Sequence, residues 1–140
     1  MRIVVDTNVF ISGLTSPAGL NRQVIRACLE GKAKPLMGSA LFNEYEYLMA
    51  RPETLARCPL AVDRCEMLLE AFLSCCEWIR IYFLWRPNLR DESDNHLIEL
   101  AVAGGAEAII TNNLRDLHSG ELAFPSLKFL TPSQFLTNLP

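Results

Sequence analysis

Short apolar runs that end in polar residues alternate along this chain with segments of helical spacing. The first run, residues 2–5, contains three β-branched apolar side chains and leads directly into Asp6, Thr7 and Asn8. A continuous apolar run of this length is typical of a strand buried on both faces of a parallel sheet. Similar runs predict further strands at Lys34–Met37, Trp78–Phe83, Ala108–Thr111 and Leu127–Leu130.

Between these strands the apolar residues recur at the three- and four-residue spacing of a helix face. We predict a helix that begins near Val9 and gives way to a loop at Gly13–Gly19. Further predicted helices cover Asn21–Glu30, Ser39–Arg51, two segments of Thr54–Cys76 separated at Cys58–Pro59, Leu97–Gly104, and the end of the chain from Thr131. The alternation of strands and helices predicts an α/β fold with a parallel sheet of four to five strands and right-handed crossovers. We interpret residues 1–140 as one domain that contains a helical hairpin at roughly residues 54–76.

Composition narrows the class of protein. Half of the 140 residues, 50%, are hydrophobic, yet no apolar run approaches the roughly 18 residues of a membrane span. The amino terminus also lacks the pattern of a signal peptide, so we expect a cytoplasmic protein with no membrane segment. The five cysteines are odd in number and lack the spacing of a zinc site, which favours reduced and mostly buried thiols.

The formal net charge of −3 argues against a broadly basic surface of the kind that binds nucleic acid. It does not exclude a nucleic-acid enzyme, because a bound divalent cation reverses the local charge of an acidic site. The placement of the acidic residues therefore matters more than their number.

Several acidic or amide side chains follow predicted strands or begin predicted helices. Asp6 and Thr111–Asn113 lie at the carboxyl ends of strands, Asp94 precedes an apolar helix, and Glu44 lies on another helix. Because parallel strands share one direction, these groups can converge on one crevice at the carboxyl edge of the sheet. Carboxylates brought close together repel one another unless a hard cation such as Mg²⁺ or Mn²⁺ lies among them. Such a cation activates water and stabilises charge on a phosphate oxygen, so phosphodiester hydrolysis is the expected reaction class.

Taken together, these motifs resemble the PIN domain. The resemblance lies in Asp6-Thr7-Asn8, Glu44 on a helix, Asp91-x-x-Asp94-Asn95 before an apolar helix, and Thr111-Asn112-Asn113-x-x-Asp116. The closing segment, residues 129–136, is similar to the tail of a bacterial subgroup of toxin components. The resemblance implies a three-layer α/β/α fold and a Mg²⁺- or Mn²⁺-dependent endoribonuclease. In particular, it implies the VapC-like toxin of a type II toxin–antitoxin pair, with RNA as substrate, a small antitoxin protein as partner, and a homodimer.

The same resemblance implies roles for individual residues. Asp6, Glu44 and Asp94 match the acids that bind metal and activate the attacking water, while Asn8 and Thr111 match residues that orient the first acid and the substrate phosphate. Asn113 stands where the pattern has a fourth acid; its amide can still offer an oxygen to a metal, but without charge. The candidate metal ligands are therefore Asp6, Glu44, Asp91, Asp94, Asn113 and Asp116.

Each acidic candidate also has an ordinary structural explanation. The triplet at residues 6–8 consists of favoured N-cap residues and could simply cap the next helix. Glu44 could be a solvated helix residue, and Asp94 could stabilise a helix N-terminus electrostatically. Asp116 could belong to a turn.

The histidines, arginines and aromatic residues are weaker candidates for catalysis, metal binding or contacts with RNA. The two histidines, His96 and His118, have no Cys or His partner at ligand spacing, so surface or capping roles are favoured. Three arginines could contact RNA phosphates or neutralise the nearby acids: Arg86, Arg90 and Arg115. Four aromatic residues could stack on bases, although such residues more often belong to a core or interface: Tyr45, Tyr47, Phe83 and Trp85.

Two other functions are compatible with the sequence. A Rossmann-like metal-dependent phosphatase would require an Asp-x-Asp nucleophile motif and a later basic residue, whereas this chain has Asp6-Thr7-Asn8 and no matching lysine. A catalytically weakened PIN scaffold that binds RNA or a partner protein is the second alternative, and Asn113 is the residue that favours it.

Overall fold

Five parallel strands form the centre of the computed structural model, which describes residues 1–16, 18–81, 95–113 and 126–139. The strands are β1 (Arg2–Val5), β2 (Lys34–Met37), β3 (Glu77–Trp78), β4 (Ala108–Ile110) and β5 (Lys128–Leu130). Their order across the sheet is β3-β2-β1-β4-β5, and every neighbouring pair is parallel. The two acidic or polar strand ends that the sequence singled out, after β1 and β4, are therefore neighbours.

The described helices are α1 (Thr7–Thr15), α2 (Leu20–Leu29), α3 (Ser39–Met49), α4 (Pro52–Arg57), α5 (Val62–Cys75), α6 (Asn95–Gly104) and α7 (Pro132–Thr137). Helix α6 packs on β1, β2 and β4, whereas α5 packs on β2 and α2, and α2 also contacts α1 and α7. The chain winds from β1 to β3 in one direction and then returns past β1 to β4, and right-handed crossovers in opposite directions place helices on both faces. The result is the predicted three-layer α/β/α arrangement.

An aromatic cluster joins three helices beneath the sheet. The ring of Phe10 on α1 lies 5.4 Å from that of Tyr45 on α3 and 5.3 Å from that of Phe72 on α5, measured between centroids. All three side chains are buried, and each contributes a large apolar area to the core. This cluster fixes how α3 sits relative to α1 and the end of β1.

The structure corrects two of the predicted boundaries. Helix α1 continues through Gly13 to Thr15, where a loop was predicted, because the missing side chain of Gly13 lets α2 pack closely against α1. Strand β3 spans only Glu77–Trp78 instead of Trp78–Phe83, and Tyr82 and Phe83 lie outside the described residues. Its partner strand β2 ends at Met37, and the backbone N–H of Ile79 donates to Met37 O at 2.8 Å. No further carbonyl of β2 is available to extend the pairing.

The helix pair and the free thiols predicted from the sequence are present among the described residues. Helices α4 and α5 are separated near the predicted break, but α4 begins at Pro52; α4 packs on α1 and α3, and α5 packs on α2 and β2. The five cysteines are free thiols, and burial raises the pKa of Cys28 and of Cys76 to about 12. None of the described helices has the length and apolar character to cross a membrane.

The close packing of α1 on α2 generates the first prediction. Replacing Gly13 with alanine places a methyl group 2.6 Å from Ile25 Cδ1 and 3.2 Å from the backbone nitrogen of Arg22. We expect Gly13→Ala to lower the free energy of unfolding by about 1 to 2 kcal/mol, measured by urea denaturation, despite the better helix propensity of alanine. Ile25→Val removes the Cδ1 atom, so the loss should be smaller in that background. An equal loss in both backgrounds would contradict the packing explanation.

Candidate active site

Asp6 is a buried carboxylate at the carboxyl end of β1, with only 5% of the residue exposed. Its backbone N–H donates to Ile110 O at 2.9 Å, which continues the pairing of β1 with β4. Its carboxylate oxygen Oδ2 accepts from Thr111 Oγ1 at 2.8 Å and from Asn8 Nδ2 at 3.1 Å. Asp6 does occupy the N-cap position of α1, but its side chain makes no capping hydrogen bond. The carboxylate is therefore held for contacts across the sheet edge, and capping does not account for it.

The hydroxyl of Thr111 is oriented by its own neighbours. Thr111 is fully buried, and its Oγ1 accepts from the backbone N–H of Asn113 at 2.9 Å. With that lone pair engaged, the hydroxyl hydrogen is directed to Asp6. Asn113 thus reaches the site through its backbone, while the residue itself is exposed.

Thr7 connects Asp6 to Glu44, which lies on a different element. Thr7 Oγ1 makes a short hydrogen bond to Glu44 Oε1 and lies 3.4 Å from Asp6 Oδ1. A hydroxyl carries one hydrogen, and the shorter contact identifies Glu44 as its acceptor. Asp6 Oδ1 therefore receives little from the Thr7 hydroxyl, whereas Oδ2 accepts from two side chains, Asn8 and Thr111.

The position of Glu44 depends on the next residue, Tyr45. The buried Tyr45 hydroxyl donates to Val5 O at 2.7 Å, at the last residue of β1. Burial raises the pKa of Tyr45 well above its ordinary value, so the phenol stays protonated and remains a donor. This bond fixes α3 against the end of β1 and directs Glu44 toward Thr7. Tyr45 is consequently a core residue and not a base-stacking one.

His96, in the first turn of α6, is the second neighbour of Glu44. Its Nε2 atom lies 3.1 Å from Glu44 Oε2, and the side chains of His96 and Glu44 are 14% and 32% exposed. We predicted a surface or capping role for His96, whereas its side chain is largely buried and contacts Glu44 on α3, which is distant in the sequence. The start of α6 is thereby placed beside the two carboxylates.

A chain of amides lines the exposed side of the site. Asn8 Oδ1 accepts from the backbone N–H of Asn112 at 3.3 Å, and Asn112 Nδ2 donates to Asn21 Oδ1 at 3.0 Å. Asn8 is thereby connected both to Asp6 and to the segment that follows β4. These bonds hold the Asn8 amide with its Nδ2 toward the carboxylate.

Burial raises the pKa of Asp6 above its ordinary value. The hydrogen bond from Thr111 acts in the opposite direction, and the negative charge of Glu44 raises the pKa further. Asp6 and Glu44 therefore repel each other, and a cation between them would relieve this repulsion. The available donors are hard oxygen atoms, of the type that Mg²⁺ and Mn²⁺ prefer, so Asp6 and Glu44 fit a divalent metal.

The structure brings together five of the residues predicted from the sequence: Asp6, Asn8, Glu44, Thr111 and, through its backbone, Asn113. Other candidates lie outside the described residues: Asp91, Asp94, Asp116, Arg86, Arg90, Arg115, His118 and Trp85. Within the described ranges, no three His, Cys, Asp or Glu side chains are grouped to hold a metal ion.

Thr7 and His96 are the site residues that sequence reasoning missed. Thr7 belongs to the triplet that drew attention first, so its place beside Asp6 could have been found. The contact of His96 with Glu44 depends on how α6 meets α3, and no local sequence pattern indicates it.

Comparison with known proteins identifies the family. The family model of the PIN domain matches residues 2–115, which is most of the chain. This chain therefore belongs to the PIN domain family, whose members are generally nucleases. The match includes the segments that carry Asp6, Glu44 and Thr111.

Two individual proteins are similar to this chain. The uncharacterized protein MJ1680 of Methanocaldococcus jannaschii is 29% identical over 124 residues, which covers 85% of this chain and 74% of that protein. A chain in the crystal structure of VapBC2 from Rickettsia felis, bound to a DNA fragment from their promoter, matches with a TM-score of 0.60 and 14% identity. That match covers 94% of this chain and 98% of the other, and it confirms the α/β fold.

The raised pKa of Asp6 generates a prediction about stability. Because the folded protein holds this proton more tightly than the unfolded chain, the free energy of unfolding falls as the pH rises from about 3.8 through the folded-state pKa. Asp6→Asn removes this penalty, so in EDTA at neutral pH its Tm should exceed that of the wild type by roughly 3 °C. The difference should shrink as the pH falls below the folded-state pKa and should disappear well below 3.8, where the wild-type carboxyl is protonated in both states.

Glu66→Gln is the control for this experiment, since Glu66 is an exposed residue on α5. Its Tm should stay close to that of the wild type at every pH. An Asp6→Asn protein that is less stable than the wild type at neutral pH would contradict the assignment of a buried charge penalty to Asp6.

Proposed function

We propose that this protein is a Mg²⁺- or Mn²⁺-dependent endoribonuclease and that it acts in the cytoplasm as the toxin of a type II toxin–antitoxin pair. The observation that carries the proposal is the closeness of Asp6 and Glu44 at the carboxyl edge of a PIN sheet: the Thr7 hydroxyl donates to Glu44 Oε1 and lies 3.4 Å from Asp6 Oδ1. Neither a cap nor a solvated helix residue requires two carboxylates to lie so close together. This closeness is consistent with a site that binds a cation between acidic groups.

The proposed metal ligands are Asp6, through its oxygen Oδ1, together with Glu44 and Asp94. Asp94 precedes the first residue of α6, and His96 of the same helix contacts Glu44. The metal, when bound, would polarise the phosphate and lower the pKa of a nearby water. Asp91, Asn113 and Asp116 are further candidate ligands; the exposed side chain of Asn113 is uncharged and would bind a second ion weakly.

Glu44 is the residue that we propose accepts the proton of the attacking water. Its side chain is more exposed than the buried Asp6, so it can exchange that proton with solvent. Thr7 and His96 contact its two oxygens and hold the carboxylate in one orientation. Asp6 is held by Thr111 and Asn8, and it contributes fixed negative charge.

Support for an antitoxin partner comes from the fold that the chain shares with the VapBC2 structure. We propose that a small antitoxin protein blocks the acidic crevice and that the chain forms a homodimer. RNA is proposed as the substrate because the site motifs resemble those of PIN-domain ribonucleases, and a metal held by these acids would favour attack of water on a phosphodiester.

Cleavage of a mixed RNA substrate with Mn²⁺ or Mg²⁺ tests the proposal. Asp6→Asn, Glu44→Gln and Asp94→Asn should each lower kcat by about 100-fold or more, because each removes a charge that acts on the reacting groups. EDTA should abolish the activity of the wild type. Glu46→Gln is the matched control: Glu46 lies on the same helix as Glu44 but is exposed, and its loss should leave kcat unchanged.

Circular dichroism of each variant establishes that the fold survives. Wild-type protein that binds Mn²⁺ and cuts no RNA would replace this proposal with the weakened scaffold. Equal loss of activity in Glu46→Gln would show that α3 acts through its packing and not through the Glu44 carboxylate.

A further inference from the structure

A pocket between α1, the end of α3 and α4 opens beside the acidic site. Its volume is about 290 Å³, near the lower end of the range of small-ligand sites. Thr7 and Asn8 line one side of it, and these are the residues that contact Glu44 and Asp6. The pocket, which we call the α1–α4 pocket, therefore shares a wall with the proposed catalytic centre.

Two arginines also line the α1–α4 pocket. Arg51 precedes α4 and Arg57 ends it, and both are exposed to solvent. The half-buried side chains of Ile11 and Ser12 on α1 belong to the same lining. The pocket thus offers positive charge, an apolar surface and a hydroxyl group together.

The other groove on this side of the molecule has the opposite charge. It lies between α3, α4 and α5, has a volume of about 410 Å³, and is lined by Glu46, Glu66 and Glu70 beside apolar side chains. An acidic lining of this kind repels a polyanion. Of these two concavities, only the α1–α4 pocket both carries arginine and reaches the catalytic acids.

The arginines of the α1–α4 pocket are available to a ligand. Arg51 Nε lies 3.4 Å from Glu53 Oε2, but the two side chains are 46% and 69% exposed, and an ion pair of this kind contributes little to stability. The Arg51 guanidinium also lies 6.0 Å from the ring centre of Tyr47. A phosphate can form two parallel hydrogen bonds with a guanidinium, so it competes well with such a partner.

We propose that the α1–α4 pocket binds the RNA nucleotide next to the scissile phosphate, with Arg51 and Arg57 on its phosphate and Ile11 against its sugar or base. This inference rests on the proposed ribonuclease function. Glu53 acts as a competing anion within the same pocket. The arginines are positioned to guide the strand toward Asp6 and Glu44 without taking part in the chemistry.

Binding of a fluorescein-labelled single-stranded RNA of about twelve nucleotides, measured by fluorescence anisotropy in EDTA, tests the pocket separately from catalysis. The double variant Arg51→Ala/Arg57→Ala should bind about 10-fold more weakly than the wild type. The plot of log Kd against log salt should be shallower by about 0.7 for the double variant, since both arginines contact one phosphate and each neutralised phosphate contributes roughly 0.7 to the slope. Arg64→Ala is the control, because Arg64 is an exposed arginine on α5 outside the pocket, and its affinity should be unchanged.

Glu53→Gln provides a test in the opposite direction. Removing the competing carboxylate should tighten RNA binding about 2-fold, a gain that local unfolding cannot produce. Wild-type protein that binds no RNA, or a double variant that binds as tightly as Arg64→Ala, would overturn the proposal.

The cleavage assay distinguishes this inference from the proposed function. If the protein cuts no RNA but the double variant binds RNA more weakly, the pocket is an RNA-binding site and the proposed ribonuclease function is wrong. If the protein cuts RNA and the KM is the same for the double variant and for Arg64→Ala, the proposal that the α1–α4 pocket binds RNA is wrong, whereas the proposed ribonuclease function is supported.

Discussion

The parallel pairing of β1 with β4 is the constraint on which the site depends. Ile3, Val4 and Val5 pair with Ala108, Ile109 and Ile110, so both strands end at the same level. Asp6 and Thr111 consequently meet with their oxygen atoms 2.8 Å apart. A register shift of one residue would turn every side chain of β1 to the other face and remove this contact. Because these two strands lie near the centre of the sheet and are fully covered, the register is strongly specified by the core.

The second requirement is that a buried charge be tolerated. The core supplies the stability that allows Asp6 to remain in a site where burial and the charge of Glu44 both raise its pKa. Thr111 and Asn8 offset part of this cost by hydrogen bonding. The remaining cost is consistent with a site that is complete only when a cation is bound. The charge of Asp6 that the proposed metal site needs is therefore the same charge that lowers the stability of the folded protein.

Much of this arrangement follows from local sequence patterns. The apolar runs identify β1 and β4, the polar residues at their carboxyl ends identify Asp6 and Thr111, and the helical spacing around Glu44 identifies α3. What cannot be read from the sequence depends on packing between distant segments. The contact of Glu44 with Thr7 requires Tyr45 to fix α3 against Val5, and the contact of His96 with Glu44 requires α6 to meet α3.

The ends of a strand or helix could not be predicted from the sequence where a neighbouring element sets them. The length of β3 is limited by the end of β2, and the extension of α1 through Gly13 is permitted by the approach of α2. The arginines of the α1–α4 pocket are separated from Asn8 by more than forty positions in the chain, and only the packing of α4 on α1 brings them to the same pocket. The arginines that the sequence suggested lie close to the acids in the chain itself.

The central claim is that Asp6 and Glu44 together hold a divalent cation. Anomalous diffraction from crystals of the protein soaked in Mn²⁺ tests it most directly. The account predicts one anomalous peak at coordination distance, about 2.1 Å, from a carboxylate oxygen of Asp6 and from one of Glu44, and its loss in Asp6→Asn crystals. Saturating Mn²⁺ that gives no peak at these carboxylates, or a peak that persists in Asp6→Asn, would contradict the account.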